Sequence, residues 1–182
     1  MNVWGRLLNF FGWSVEITAP RRDKCVICVA PHTSNQDFFL GLSAYKSLGR
    51  KANFLIKDFW FFFPFNIIMR SLGGIPVSRN KKSGISLTDS VIRKFDEVDY
   101  MNIAVTPEGT RSASSRWHTG FIYIAQGANV PIQLGILDYK HKRIIIRDEY
   151  RPTGDIDADM AFIKNYYAAL GDIAKFPELF KY

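Results

Sequence analysis

Lys24-Cys25-Val26-Ile27-Cys28-Val29-Ala30 is an almost continuously apolar run that passes directly into Pro31-His32-Thr33-Ser34-Asn35-Gln36-Asp37 and then Phe38-Phe39-Leu40. An apolar run of this length, bounded by turn residues, reads as a central strand buried on both faces of a parallel sheet. Ser34 with an acid three positions later is a capping-box pattern, which would begin a helix at Ser34. A strand feeding a helix through a short polar turn is the opening half of a crossover unit, so the fold expected is α/β.

The same turn carries the first candidate chemistry. Five residues along a regular helix is about 500°, or roughly 140° off the same face, so His32 and Asp37 cannot meet within one helix. They can meet if His32 sits in the loop and Asp37 in the first helical turn. Asp37 would then hold one ring nitrogen and leave the other free to take a proton, which makes an oriented general base.

Working outward, Asn2 to Trp13 reads as a short helix with Trp4, Leu7, Leu8, Phe10, Phe11 and Trp13 on a broad apolar side. Such a helix either packs on the domain or lies in a membrane interface. Strands are expected over Ser14 to Thr18, Asn53 to Lys57, Ile75 to Arg79, Asn102 to Thr106, Pro131 to Asp138 and Arg143 to Arg147. Helices are expected from Ser34 through Leu48, over Ser86 to Val98, Gly120 to Gln126 and Asp155 to Leu170. The expected architecture is a single domain spanning 1–182, with a mixed, mostly parallel central sheet flanked by helices and the active site at the carboxyl ends of the strands.

The 182 residues include 47% hydrophobic and 23% charged, a globular composition without a disorder signature. Aromatic residues make up 15%, and the densest group is Phe59-Trp60-Phe61-Phe62-Phe63-Pro64-Phe65, followed by Ile67, Ile68 and Met69. A core of this size could bury three or four of these rings, but so apolar a stretch, flanked by Lys57 and Arg70, also suits a surface for an acyl chain or a bilayer, which is the reading favoured. It is too short and too broken by Pro64 and Asn66 to span one, and no secretory signal is visible. The net charge of +7 favours an anionic partner. The basic residues are scattered and no nucleic-acid motif accompanies them, so an anionic membrane surface or a phosphorylated ligand is expected and nucleic acid is not.

Cys25 and Cys28 form a C-x-x-C by spacing, yet residues three apart on a strand point to opposite faces. They read as two buried thiols, in keeping with a reducing, cytoplasmic setting. No cluster has the spacing of metal ligands, so no metal is expected. His118 and His141 have no carboxylate at useful spacing and read as solvated.

Two further turns follow predicted strands. Arg79 comes after Ile75-Pro76-Val77, and Glu108-Gly109-Thr110-Arg111 comes after Ile103-Ala104-Val105. Arginine offers a planar fork suited to phosphate oxygens, and glycine lets the backbone approach closely. At the shared carboxyl edge of a parallel sheet both turns would face the crevice that holds His32.

Taken together, these blocks resemble the glycerolipid acyltransferases that include the acylglycerol-phosphate acyltransferases. The matching blocks are His32 to Asp37, Gly73-Gly74-Ile75-Pro76-Val77-Ser78-Arg79, Pro107-Glu108-Gly109-Thr110-Arg111-Ser112, and Val130-Pro131-Ile132, in the family's order. The chain departs from the family's usual pattern at Pro31, where Asn is frequent, and at Pro76, where a bulkier residue is usual. The resemblance implies that His32 takes the proton of an acceptor hydroxyl, that Asp37 orients it, and that the hydroxyl attacks an acyl thioester with no metal, cofactor or covalent enzyme intermediate. The thioester would be acyl-CoA or acyl carrier protein, and the acceptor a lysophospholipid, first of all 1-acylglycerol-3-phosphate. Arg79, Glu108, Gly109, Thr110 and Arg111 would bind the acceptor, with the arginines on its phosphate. A carboxylate at Glu108 should repel phosphate, so it is expected to hold an arginine or a hydroxyl. Many members begin with membrane-spanning helices; one short aromatic helix here implies peripheral attachment, at the inner face of the cytoplasmic membrane.

Two alternatives compete. The same chemistry would serve a lyso-aminolipid or another lipid hydroxyl. A non-enzymatic, peripheral protein binding anionic lipid would explain the charge and the aromatic segment, but not the His32–Asp37 and Glu108–Arg111 turns.

Overall fold

The structure is a computed structural model that describes residues 2–77 and 86–181. Arg79 and the basic loop Asn80-Lys81-Lys82 lie outside the described residues. The strands are β1 (Ser14–Ile17), β2 (Lys24–Ala30), β3 (Asn53–Lys57), β4 (Gly74–Val77), β5 (Met101–Val105), β6 (Ile132–Asp138) and β7 (Arg143–Tyr150). The helices are α1 (Val3–Phe10), α2 (Gln36–Ser47), α3 (Phe65–Leu72), α4 (Leu87–Glu97), α5 (Gly120–Gly127) and α6 (Ile156–Ala168).

The strands form one sheet in the order β1-β7-β6-β2-β5-β3-β4. All neighbours are parallel except β6 and β7, so β1 and β7 run against the other five. This is the mixed, mostly parallel α/β sheet expected, with the apolar run of β2 at its centre. β2 lies between β6 and β5, where the chain's crossovers diverge: from β2 the chain goes to β3 on one side, and from β5 it returns to β6 on the other. Such a switch point leaves an open crevice at the strands' carboxyl edge.

Alternation along β2 divides the core. Val26, Cys28 and Ala30 pack with Val91 and Phe95 of α4, Phe121, Ile122 and Ala125 of α5, and Met160, Ile163 and Tyr167 of α6. Cys25 and Ile27 face the other side with Tyr45 of α2. The two thiols therefore sit on opposite faces of the sheet, buried and free. Burial pushes the Cys25 thiol up to about 12, which keeps it protonated and unreactive. Tyr167, fully buried, donates to the carbonyls of Cys28 at 2.7 Å and Gly135 at 3.1 Å, so α6 is bonded to both central strands.

On the second face α1 packs against α2, burying Leu8 with Trp13, Ala44 and Leu137. The crossover β3–α3–β4 continues in the direction of β2–α2–β3, and right-handed connection places α3 on the same face. α3 was not anticipated. The aromatic segment instead opens with a 3-10 turn at Asp58–Trp60 and then enters this helix, which Gly73 ends at φ +99. Its rings stay largely outside: Phe63 is 78% and Ile67 60% exposed, and on α1 Phe10 is 82% exposed. Among the described residues no helix is long and apolar enough to cross a membrane.

Candidate active site

Ala30 ends β2, and the chain makes a polar turn before α2 begins at Gln36, two residues later than the capping box implied. Half of that box forms. The Asp37 Oδ2 accepts the backbone N–H of Ser34 at 2.9 Å, while the Ser34 hydroxyl accepts the N–H of Gln36 at 3.2 Å instead of that of Asp37. The consequence for His32 and Asp37 is the expected one: the histidine is in the loop and the acid in the first helical turn.

His32 Nδ1 lies 3.0 Å from Asp37 Oδ2. An ionised carboxylate only accepts, so Nδ1 carries the proton of this contact and Nε2 is left as the basic nitrogen. Asp37 is 3% exposed, and its other oxygen accepts the Tyr139 hydroxyl. Burial, and then the hydrogen bond to Asp37, raise the Tyr139 phenol well above its ordinary range, so it remains a donor. Tyr139 follows the last residue of β6, and the register Ala30 to Ile136 brings it alongside the His32 turn. Its place just past an apolar strand was the available signal in the sequence. Its pairing with Asp37, 102 positions away, was not readable there.

From the other side of β2, the turn after β5 delivers Glu108. This side chain is 3% exposed, and its Oε1 accepts the backbone N–H of His32 at 2.9 Å. This places Glu108 under the His32 loop. Burial pushes the carboxyl up to about 8, against the pull of the His32 hydrogen bond and with help from the charge of Asp37. At neutral pH it is predominantly a neutral acid.

Gly109 is in the left-handed region at φ +62, and a Cβ there would stand 2.6 Å from the His118 ring. His118 in turn donates its backbone N–H to the Pro107 carbonyl at 2.7 Å, closing the turn from behind. Beyond it, Arg111 donates to the Asn35 side chain just ahead of α2, so its guanidinium lies beside the mouth of the His32 turn. Thr110 accepts the N–H of Ser112 at 3.2 Å. A depression of about 530 Å³ runs past these groups, lined by Thr33, Ser34, Thr110, Arg111, Lys175 and Phe176 among others. Lys175 reaches the Gln36 side chain at 2.8 Å, and the Phe176 N–H donates to Thr33 Oγ1 at 3.3 Å. Lys175 and Phe176 come from the segment after α6 and carried no signal in sequence.

His141 corrects its reading as a histidine without a carboxylate: Nδ1 is 2.9 Å from Asp138 Oδ2 in the β6–β7 hairpin. Arg143 holds the same Asp138 oxygen at 3.0 Å, so the acid is shared and the pair is part of the hairpin's own bonding. Among the described residues no group of three or more His, Cys, Asp or Glu converges as a metal would require.

The family model described as acyltransferase matches residues 14–133, two thirds of the chain. The chain belongs to the acyltransferase family. The matched region contains all four sequence blocks, from the His32 turn to Val130-Pro131-Ile132. In fold, the acyltransferase is similar to the crystal structure of the 1-acyl-sn-glycerophosphate (LPA) acyltransferase PlsC from Thermotoga maritima. The match has a TM-score of 0.61 and 18% identity and covers 92% of this chain and 76% of that one. Among curated proteins nothing matches this acyltransferase.

Proposed function

We propose that the protein moves a fatty acyl group from an acyl thioester, acyl-CoA or acyl carrier protein, to the hydroxyl of a lysophospholipid, with 1-acylglycerol-3-phosphate as the preferred acceptor. The observation that carries this reading is the His32 ring, tied through Nδ1 to a buried acid at the carboxyl edge of an acyltransferase sheet. His32 Nε2 takes the acceptor proton as the hydroxyl oxygen attacks the thioester carbonyl. The tetrahedral intermediate collapses, the C–S bond breaks, and the thiolate leaves with the proton returned from the imidazolium. No metal, cofactor or acyl-enzyme is required, and the thioester is a co-substrate.

Arg111, with Arg79 as a second cation, binds the acceptor phosphate, while Gly109 and Thr110 shape the turn that presents it. Glu108 acts by holding the His32 backbone. The resemblance to a lysophosphatidic acid acyltransferase fold favours the phosphate-bearing acceptor over a lyso-aminolipid. The chain approaches its lipid from an anionic membrane surface at the cytoplasmic face. Support comes from the +7 charge and from exposed apolar side chains on α1 and α3, which share one face of the sheet.

The test is thiol release from acyl-CoA with a panel of lyso-acceptors. His32→Ala is expected to abolish release while leaving the fold intact, and Arg111→Ala to raise KM selectively for phosphate-bearing acceptors. Loss of a charged hydrogen bond should cost about 1.5 to 3 kcal/mol. Full activity in His32→Ala would overturn the mechanism. Binding to anionic vesicles without transfer to any acceptor would leave the protein a lipid-binding module.

A further inference from the structure

The buried acid has three donors arranged around two oxygens. Asp37 Oδ2 receives the His32 ring at 3.0 Å and the Ser34 N–H at 2.9 Å, and Oδ1 receives the Tyr139 hydroxyl. A carboxylate rotates about its Cβ–Cγ bond, and rotation would carry Oδ2 away from His32. A donor fixed on Oδ1 removes that freedom. Tyr139 is suited to be such a donor because it is itself held from two further sides. Its backbone N–H donates to the Ile173 carbonyl at 2.8 Å. Its ring meets the edge of Trp13 with centroids 5.0 Å apart and planes at 89°, and Trp13 is buried in the α1–α2 layer.

Resting on the reading of His32 as the base, we propose that Tyr139 is the positioning residue of the His32–Asp37 pair and that Trp13 is the strut that holds it. Tyr139 touches neither the acceptor nor the thioester. It acts through Asp37, by direction and by charge: the hydroxyl withdraws density from Oδ1 and so moderates how strongly Oδ2 attracts an imidazolium. Trp13 comes from the segment between α1 and β1, so one end of the apolar surface helix is packed against the residue that sets the base. Among the described residues the titratable groups around the pair are Tyr139 and Glu108, with Arg111 and Lys175 at the mouth of the depression.

Tyr139→Phe keeps the ring and the Trp13 contact and removes only the hydroxyl. In the full-length protein kcat is expected to fall about tenfold or more, with KM for acyl-CoA and for the acceptor within twofold of wild type. With one donor fewer, Asp37 holds the imidazolium more firmly, so the acid limb of the pH–rate profile should move to higher pH. Titration of the His32 ring by NMR should show the same displacement without reference to turnover, with the resonance assigned by its absence in His32→Gln. Trp13→Leu should lower kcat in the same direction by a smaller factor. Unchanged kcat together with an unmoved His32 titration in Tyr139→Phe would overturn the inference. So would a loss confined to stability or to KM, since that is what a packing role alone produces. Activity in His32→Ala would instead remove the parent reading, and an inactive His32→Ala beside an unaffected Tyr139→Phe would sink this inference alone.

Discussion

Glu108→Gln isolates the energetic cost of placing a carboxyl beneath the His32 loop. In the folded chain Glu108 holds its proton up to about 8, against an ordinary 4.5, because it is buried. In the unfolded chain the same group ionises near its ordinary value. Between those limits the folded state binds more protons than the unfolded state, so this residue's contribution to stability falls as pH rises from about 4.5 to about 8 and is level above that. A shift of that size is bounded at about 5 kcal/mol, at 1.4 kcal/mol per pKa unit. Water penetration and relaxation raise the effective dielectric at such sites, so about 2 kcal/mol is the figure to expect. Glutamine retains an oxygen for the His32 N–H, now 2.9 Å from Oε1, and cannot ionise. The variant should therefore exceed wild type by less than about 1 kcal/mol at pH 5, and by about 2 kcal/mol at pH 9. In thermal unfolding that is a gain of about 4 to 8 °C for a chain of 182 residues. Urea and thermal unfolding of both proteins across pH 5 to 9 give the measurement. Parallel curves for wild type and variant, or a variant less stable at pH 9, would refute the assignment of Glu108 as a buried, proton-holding support.

Gly109→Ala should destabilise the turn by about 1 to 2 kcal/mol, because φ is +62 and the new Cβ would press on the His118 ring at 2.6 Å. Adding His118→Ala should recover the part due to the clash and leave the part due to φ, as read from urea midpoints at constant m. The double variant Phe63→Asp, Ile67→Asp changes side chains that are 78% and 60% exposed, so stability should move by no more than about 0.5 kcal/mol for each. Flotation with vesicles containing anionic lipid should nevertheless be lost, and retention of flotation would mean that this face is not the lipid-contacting surface.

Local pattern was enough for much of the framework. The apolar run of Lys24–Ala30, the polar turn after it and the helical spacing beyond identify a central strand and its crossover, since burial on both faces and helical periodicity leave direct marks on neighbouring residues. The opposed directions of Cys25 and Cys28 follow from strand alternation alone, and the placing of His32 outside the helix that carries Asp37 follows from helical geometry, which sets residues five apart on different faces. The helix Phe65–Leu72 escaped although Phe65, Ile68, Met69 and Leu72 recur at helical spacing, because two turns offer few repeats and the uniformly aromatic run directly ahead of it masks where the pattern begins.

What surrounds the His32–Asp37 pair is another matter. Tyr139 meets Asp37 because β6 pairs with β2, and Glu108 meets His32 because β5 pairs with β2 on the other side. Lys175 and Phe176 join them by a return of the chain after α6. These contacts span 76 to 143 positions and depend on strand order and register, which no local run of residues encodes. The charge state of Glu108 belongs to the tertiary structure for the same reason. As a residue type it is a carboxylate that should repel phosphate; as a buried group beneath the His32 loop it keeps its proton, because desolvation is a property of the place and not of the side chain.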